Sequence, residues 1–182
     1  MHSIELLTTR QSTAALMAPM PSNKNLSFIL EAGMRVPDHA NLSPWHFTVI
    51  KEQGLQRLSE LFESVLDKNT VDEAKITKTK NMPFRAPLII VVSTQYTTHN
   101  KVPLQEQLIT AGCCVHAMQM AAFSLGYGAF WRTGEFAYNE KIKQGLSIKT
   151  TDDIVGFLYI GTPAKPCIIK MKKNIKNHVS YF

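Results

Sequence analysis

A mostly apolar run at 86–95, APLIIVVSTQ, constrains the fold of this chain more than any other stretch. Its side chains do not alternate between apolar and polar, so a strand formed here is buried on both of its faces. Such a strand needs other strands beside it and helices above and below it. The sequence therefore predicts an α+β protein in which helices flank a central sheet.

Further strands and helices are predicted before and after this run. Strand patterns lie at 45–52, 128–133 and 154–163. Apolar residues at helical spacing predict helices at 3–9, 22–36, 54–68, 105–125 and 139–146. Prolines make 12–22 a predicted loop, and polar 68–82 reads as either a ragged helix or a mobile lid. We find no repeat and no linker, so we expect residues 1–182 to form a single domain with at least four strands.

The chain shows no pattern for export or membrane insertion. Its first residues contain Glu5 and Arg10 and no apolar run, so a cytoplasmic location is expected. The uncharged stretch 108–125 is rich in Ala and Gly and contains polar residues, which favours a helix buried on all sides over a membrane span. Cys113 and Cys114 lie in this stretch, where we expect them to be inert buried thiols rather than part of a disulfide framework.

The formal net charge of +6 favours anionic partners without choosing among them. Lysines cluster near the C-terminus at Lys165, Lys170, Lys172, Lys173 and Lys176. A basic module for nucleic acid or an anionic membrane is therefore an alternative, which a steep salt dependence of DNA binding would support. A lysine cluster without interleaved aromatic residues is more typical of a solvated surface, so neither partner is expected.

Three short polar segments carry the candidate chemistry. They are TRQS at 9–12, RVPDH at 35–39 and WRTG at 131–134, and each contains an arginine. Guanidinium donors match phosphate oxygens bidentately, so each segment could bind a phosphate, although each alone is also typical of surface arginines and helix caps. The chain has no Walker lysine loop, no GxSxG and no metal-ligand spacing, so we expect no metal site.

Together these segments resemble the FMN-dependent nitroreductase family. The matching motifs occur in order over nearly the whole chain: IELLTTRQS at 4–12, ILEAGMRVPDHANLSPWHFTVI at 29–50, NMPFRAPLIIVV at 81–92, GYGAFWRTG at 126–134, IVGFLYIGTP at 154–163 and SYF at 180–182. The resemblance implies a nitroreductase-like α+β fold with a mainly antiparallel sheet. It also implies an intertwined homodimer that holds two FMN molecules at its interface.

The resemblance further implies which residues bind FMN. Two flavin segments of one subunit are Arg10, Gln11 and Ser12, and Trp131, Arg132 and Thr133. Arg35 and His39 match positions that reach the FMN bound mainly by the other subunit, and Asp38 could orient His39. Members of the family often read Arg-Arg-Ser at the first segment, followed by a lysine near flavin N1. Gln11 and the Ala14–Ala15 pair depart from this, so Arg10 or Arg35 would have to stabilise the reduced flavin.

The end of the long helix matches the segment assigned to NAD(P) in the family. Its residues are Ala121, Ala122, Phe123, Ser124, Leu125 and Gly126, and an apolar helix end also has a plain core interpretation. The implied activity is ping-pong transfer of hydride from NAD(P)H through flavin N5 to nitroaromatic, quinone or related acceptors. FMN would carry the chemistry, and no protein acid or base is named. The alternative is a flavoprotein of this fold that is specialised for another metabolite, with 68–82 lining its pocket.

Overall fold

Five strands form one sheet in the computed structural model, which describes residues 2–67, 69–166 and 174–182. They are β1 Leu16–Met17, β2 Trp45–Lys51, β3 Leu88–Thr94, β4 Gly128–Arg132 and β5 Ile154–Pro163. β5 is central and pairs with β1, β3 and β4, while β3 pairs in turn with β2. Every one of these pairs is antiparallel, as predicted.

Six α-helices within the described residues pack around this sheet. They are α1 Ser3–Thr9, α2 Asn23–Gly33, α3 Gln53–Ser64, α4 Glu73–Lys80, α5 Leu104–Ser124 and α6 Glu140–Gly145. One hydrophobic core lies between the sheet and helices α2 and α5. The other lies between the opposite face of the sheet and helices α3 and α6. The predicted α+β arrangement with a flanked sheet is therefore confirmed.

β3 is the strand that the apolar run at 86–95 predicted. All seven of its residues are buried. Ile90 and Val92 belong to the core beneath α2 and α5, whereas Ile89 and Val91 belong to the core beneath α3 and α6. Because alternate side chains of a strand point to opposite faces, this one run contributes to both cores.

Two segments are more regular than their sequence patterns predicted. The expected loop at 12–22 contains β1, in which Leu16 and Met17 pair with the end of β5. The segment 68–82 contains α4, whose first turn is capped because the Asp72 carboxylate accepts a hydrogen bond from Lys75 N at 2.7 Å. A two-residue strand is too short to show periodicity, and α4 is too polar to show a strong apolar stripe.

α5 differs from the expectation that it is buried on all sides. Its inner face is buried, and includes Ala111, Cys114 and Met118. Its outer face is not, since Leu104 is 52% exposed and Ile109 is 58% exposed. Composition indicated an apolar helix correctly, but it does not tell which apolar face packs within the same chain. Within the described ranges, no helix combines the length and apolarity that a bilayer crossing requires.

Only part of the C-terminal lysine cluster can be placed. Lys165 and Lys176 are exposed. Lys170, Lys172 and Lys173 lie outside the described residues, as do Cys167 and Lys68. Nothing in the described part of the tail adds support for a nucleic-acid interface.

Two buried acidic groups predict a loss of stability at alkaline pH. Burial raises the pKa of the Cys114 thiol from 9.0 to about 12. Burial likewise raises the pKa of Tyr159 from 10.0 to about 12, against the opposing effect of the Arg132 and Arg85 charges. Above pH 9 the unfolded chain releases these protons while the folded chain keeps them, so alkali favours unfolding. Each group should lower the free energy of unfolding by up to about 1.4 kcal/mol per pH unit.

Urea denaturation at a series of pH values checks this expectation. Stability contributed by the two groups should be complete below about pH 9 and decline steadily towards pH 12. A Tyr159→Phe protein removes one of the groups and should show a shallower decline above about pH 10. A free energy of unfolding that stays constant over this range would contradict the expectation.

Candidate functional site

The first predicted segment, 10–12, lies between α1 and the sheet. Arg10 Nη1 donates a hydrogen bond to Gln119 Oε1 on α5 at 3.3 Å. Gln11 is half-buried and Ser12 is exposed. The next residue, Thr13, donates its backbone N–H to the Ala129 carbonyl of β4 at 2.9 Å. This bond fixes the first segment beside the strand that carries the second segment.

Trp131 and Arg132, in the second segment, point to opposite faces of the sheet because side chains alternate along β4. The Trp131 ring packs against the core beneath α2 and α5, and its Nε1 donates to the Val155 carbonyl at 3.1 Å. The Arg132 guanidinium lies over the rings of Phe130, 4.1 Å from its centroid, and Tyr159, at 5.5 Å. The strand thus holds a stacked, partly buried cation on the face opposite Trp131.

The Arg132 guanidinium lacks an acceptor for one of its donors. Its Nε is buried and forms no hydrogen bond within the described residues. Burial lowers the pKa of the guanidinium, and the nearby positive charge of Arg85 lowers it further. A buried donor without an acceptor is costly, and two neighbouring cations without a counterion repel each other. An anion bound here would relieve both effects.

Arg85 is a cation that the sequence interpretation missed. It ends the short 3₁₀ helix Pro83–Arg85 before β3. The motif NMPFRAPLIIVV contains it, but that motif was interpreted only as a strand with its preceding segment. Within the described ranges, none of Arg10, Arg35, Arg85 and Arg132 forms an ion pair. Arg85 and Arg132, which are neighbours, therefore form a region of uncompensated positive charge that favours an anion such as phosphate.

Thr133 opens onto a cavity on the α4 side of the sheet. The cavity has a volume of about 530 Å³ and lies between α4 and the turn Glu135–Tyr138. Lys75 and Lys78 of α4 line it, and Lys75 Nζ lies 3.6 Å from Glu135 Oε1 across the cavity. Part of the segment 68–82 is therefore a wall of a cavity beside the predicted flavin segment.

The corner at 35–44 is held in place by its own backbone and by α5. Ala40, Asn41 and Ser43 all have positive φ, between 49° and 61°, which a chain adopts only where surrounding contacts stabilise it. Thr110 Oγ1 of α5 donates to the Pro37 carbonyl at 3.3 Å. Immediately after the corner, Trp45 and Phe47 pack in the core as expected.

The expected contact between Asp38 and His39 is not formed. The Asp38 carboxylate instead accepts a hydrogen bond from Ser43 N at 2.7 Å and so closes the turn. His39 Nδ1 lies 2.8 Å from Glu106 Oε2, in the first turn of α5. The prediction was wrong because adjacent side chains point apart here, whereas the fold brings Glu106 in from 67 positions away.

The predicted flavin residues fall into two groups within one chain. Arg10 contacts α5 at Gln119, and His39 contacts α5 at Glu106. These two positions are thirteen residues apart on the helix, which corresponds to about 20 Å at 1.5 Å per residue. Arg35 is exposed at the same end as His39. The Thr13–Ala129 hydrogen bond thus places 10–12 beside the strand that carries 131–133, whereas 35 and 39 lie near the other end of α5.

The segment 121–126 forms the capped end of α5. The N–H of Tyr127 donates to the Ala122 carbonyl and the N–H of Gly126 to the Phe123 carbonyl, which together form a Schellman motif. Gly126 has φ +85°, as this cap requires. Ala122 is buried in the core, while Ser124, Leu125 and Gly126 are exposed. The carboxyl end of a helix carries partial negative charge, which disfavours a pyrophosphate but leaves a nicotinamide or ribose contact open.

Gly156 of β5 is the residue that makes room for the Trp131 ring. A Cβ atom at this position would collide with Trp131 Nε1 and would lie 2.9 Å from the Arg132 carbonyl. Gly156→Ala should therefore displace the indole and lower the free energy of unfolding by about 1–3 kcal/mol. Chemical denaturation measures the loss, and the tryptophan emission spectrum reports the displaced ring. In Gly54→Ala the nearest atom is Ile50 Cγ2 at 3.2 Å, so this control should change stability by less than about 1 kcal/mol. Equal stability of both variants would contradict the role assigned to Gly156.

The fold defines an α+β protein with an antiparallel sheet flanked by helices, and arginine-bearing segments lie beside this sheet. The sequence matches the nitroreductase family over residues 7–162, and the chain belongs to that family. It is 44% identical over 163 residues to a protein of Escherichia coli (strain K12) provisionally named NAD(P)H nitroreductase YdjA, an alignment that covers 90% of this chain and 89% of the relative. A provisionally named NAD(P)H nitroreductase of Haemophilus influenzae is 35% identical, with 89% of both chains covered.

Solved structures share the same fold. A nitroreductase-like family protein from Bacillus cereus superposes with a TM-score of 0.83 at 19% identity, covering 100% of this chain and 96% of that one. A nitroreductase with bound FMN from Bacteroides fragilis superposes with a TM-score of 0.74 at 21% identity, covering 98% and 97%. The nitroreductase-like fold expected from the sequence is therefore confirmed.

Proposed function

We propose that this protein is an FMN-dependent NAD(P)H oxidoreductase. The observation that carries the proposal is the Arg132 guanidinium, whose buried Nε has no acceptor and whose neighbour Arg85 also lacks a counterion in the described chain. Membership of the nitroreductase family and 44% identity to a provisionally named NAD(P)H nitroreductase support the reaction class.

The residues present fit a flavin mononucleotide. Arg10, Ser12 and Arg132 would hold its phosphate and ribityl chain, since Arg10 and Ser12 offer cationic and hydroxyl donors beside α5 and Arg132 offers a guanidinium at the end of β4. Gln11 would contribute a hydrogen bond, and Trp131 and Thr133 would border the ring system. When bound, FMN would supply hydride transfer at N5. The chain itself would bind the cofactor, orient the donor and acceptor, and exclude water, and we assign it no acid or base.

We further propose that the active unit is a homodimer with FMN at the interface. α1 and α2 both pack on α5, and these three helices expose several large apolar side chains: Ile4, Leu7, Phe28, Leu104, Leu108 and Ile109. An apolar surface shared by three helices is typical of an interface. A two-fold axis near the middle of α5 would bring the Glu106 end of one helix next to the Gln119 end of the other. Arg35 and His39 would then serve the flavin held mainly by the partner.

Hydride would pass from NAD(P)H to a nitroaromatic, quinone or related acceptor in a ping-pong sequence. Both substrates would use one opening in turn, so the chain needs only one surface for them. The exposed part of 121–126 remains our candidate for contact with the nucleotide. Because the donor is a soluble cellular metabolite, we place the reaction in the cytoplasm, which fractionation of cells would check.

A visible spectrum of the purified protein, recorded without oxygen, tests this function. Flavin bands that bleach on adding NADPH or NADH would support the proposal, and the faster nucleotide would identify the donor. Bound FMN that neither nucleotide bleaches would refute the donor assignment. Protein that neither contains flavin nor binds added FMN would refute the cofactor site.

A second candidate is a flavoprotein of the same fold that is specialised for one metabolite. The observation that favours it is the cavity beside Thr133, whose α4 wall carries Lys75 and Lys78. Exchanging the 68–82 segment for that of a relative should alter acceptor preference and leave reduction by the nucleotide unchanged. If acceptor preference stays the same after the exchange, this segment does not select the acceptor.

A further inference from the structure

We propose that Glu106 is a positioning residue that selects which ring nitrogen of His39 faces the flavin site of the partner subunit. The inference rests on the proposed function, because that function places His39 at the dimer interface. It starts from a contact that the sequence did not indicate: Glu106 Oε2 lies 2.8 Å from His39 Nδ1.

Stability alone does not account for this pair. The side chains of His39 and Glu106 are 55% and 48% exposed, and ion pairs as exposed as this contribute little to folding. Glu106 sits in the first turn of α5, where the partial positive charge of the helix end attracts its carboxylate and helps to hold it in place. The helix therefore holds a fixed acceptor against an exposed histidine ring.

The backbone around His39 is docked on the same face of α5. Glu106 and Thr110 are four positions apart on the helix, so their side chains lie on one side of it. Thr110 Oγ1 bonds the Pro37 carbonyl at 3.3 Å, while Glu106 bonds the ring two residues later. Asp38 is occupied by Ser43 N and does not compete for the ring. Two anchors therefore fix both the position and the rotation of the imidazole.

The chemical consequence follows from the acceptor character of a carboxylate. An ionised Glu106 has no proton to donate, so His39 Nδ1 must carry the hydrogen of this bond. In the neutral ring, Nε2 is then the unprotonated nitrogen, and it is the one directed away from α5. An acceptor of hydrogen bonds would thus be presented across the interface. Outer partners of this kind commonly orient a functional histidine in metal sites, and the same logic applies here.

The test compares Glu106→Ala with Glu106→Asp. Aspartate keeps a carboxylate, which only accepts hydrogen bonds, and should preserve the tautomer, whereas alanine removes the acceptor and should allow both tautomers. Nitrogen NMR of selectively labelled histidine reads the tautomer directly on the FMN-free chain, and a His39→Gln sample identifies the signal. We expect a single Nδ1–H tautomer in the wild type and the Asp variant, and a mixture in the Ala variant.

Function is read on the FMN-loaded proteins. Glu106→Ala should lower the rate of flavin reduction about tenfold, the lower end of what loss of such an outer partner costs, and Glu106→Asp should stay close to the wild type. In a His39→Ala background, Glu106→Ala should have no further effect, because it acts through the ring. Glu60→Ala, which removes an exposed carboxylate from α3, is the matched control and should change neither readout.

Several outcomes would overturn the proposal. One is a neutral His39 ring in the wild type that carries its proton on Nε2. Another is a Glu106→Ala protein whose His39 tautomer and rate of flavin reduction are unchanged. A third is a further loss of rate when Glu106→Ala is added to His39→Ala. Failure of the underlying function is separable from these. A wild-type chain that binds no FMN refutes the cofactor assignment, whereas a wild type that binds FMN beside an unaffected Glu106→Ala protein refutes the role of Glu106 alone.

Discussion

Arg132→Met is expected to weaken FMN binding about 10- to 100-fold, because a hydrogen bond to a charged group is worth roughly 1.5–3 kcal/mol. The Arg132 guanidinium is partly buried, and its Nε has no acceptor within the described residues. A phosphate that accepts from this Nε would therefore displace no hydrogen bond already made there. Fluorescence titration of FMN into the FMN-free protein measures the change.

The stability of the FMN-free chain separates a lost ligand contact from a damaged fold. Methionine can occupy the space over Phe130 and Tyr159 and makes favourable contacts with aromatic rings, so Arg132→Met should unfold within about 1 kcal/mol of the wild type. Arg57→Met makes the same chemical change on the exposed surface of α3 and should leave FMN affinity unaltered. If Arg132→Met binds FMN as tightly as Arg57→Met does, Arg132 is not a phosphate ligand.

Ile109→Asp is expected to convert the protein from a dimer into a monomer and to abolish FMN retention. Ile109 is 58% exposed on the outer face of α5, and burying an unpaired carboxylate there against a second chain costs several kcal/mol. The free monomer should fold normally, since the side chain is exposed in it. Sedimentation velocity gives the oligomeric state, and absorbance of the purified protein gives its flavin content.

Tyr138→Asp is the control for this variant. Tyr138 is 76% exposed on the turn Glu135–Tyr138, which packs on the opposite face of the sheet, so the same charge there should leave the dimer intact. Ile109→Val, which keeps the position apolar, should also remain dimeric. A dimeric Ile109→Asp protein that retains FMN would exclude the outer face of α5 as the interface.

Local sequence patterns were sufficient to predict most of the helices and strands. The unalternating run at 86–95 became a strand buried on both faces, and Ser22 caps α2 as its position predicted, with Asn25 N donating to Ser22 Oγ at 3.2 Å. These features depend on neighbours within a few residues. β1 was missed because its only support is a pairing with β5, nearly 150 positions later in the chain.

The site was predictable only where a motif marked it. Arg10 and Arg132 were named from segments that resemble family motifs, but Glu106 and Arg85 were not, because each acts on a residue distant in sequence. Asp38 was predicted to hydrogen-bond to His39 because the two residues are adjacent, but in the turn its carboxylate accepts from Ser43 N instead. The exposed face of α5 could not be foreseen because apolar composition alone does not distinguish a face that packs against its own chain from one that remains exposed.

The thirteen positions on α5 that separate the Arg10 contact from the His39 contact have a genetic consequence. If each flavin rests on one group from each chain, a lesion in either group damages both sites of a homodimer. A dimer of two chains that carry lesions in different groups behaves differently from a homodimer with one lesion. When they pair, one of the two sites collects both lesions and the other is assembled entirely from intact residues. Two inactive alleles could therefore complement each other in one cell, at the level of the assembled protein rather than of the gene.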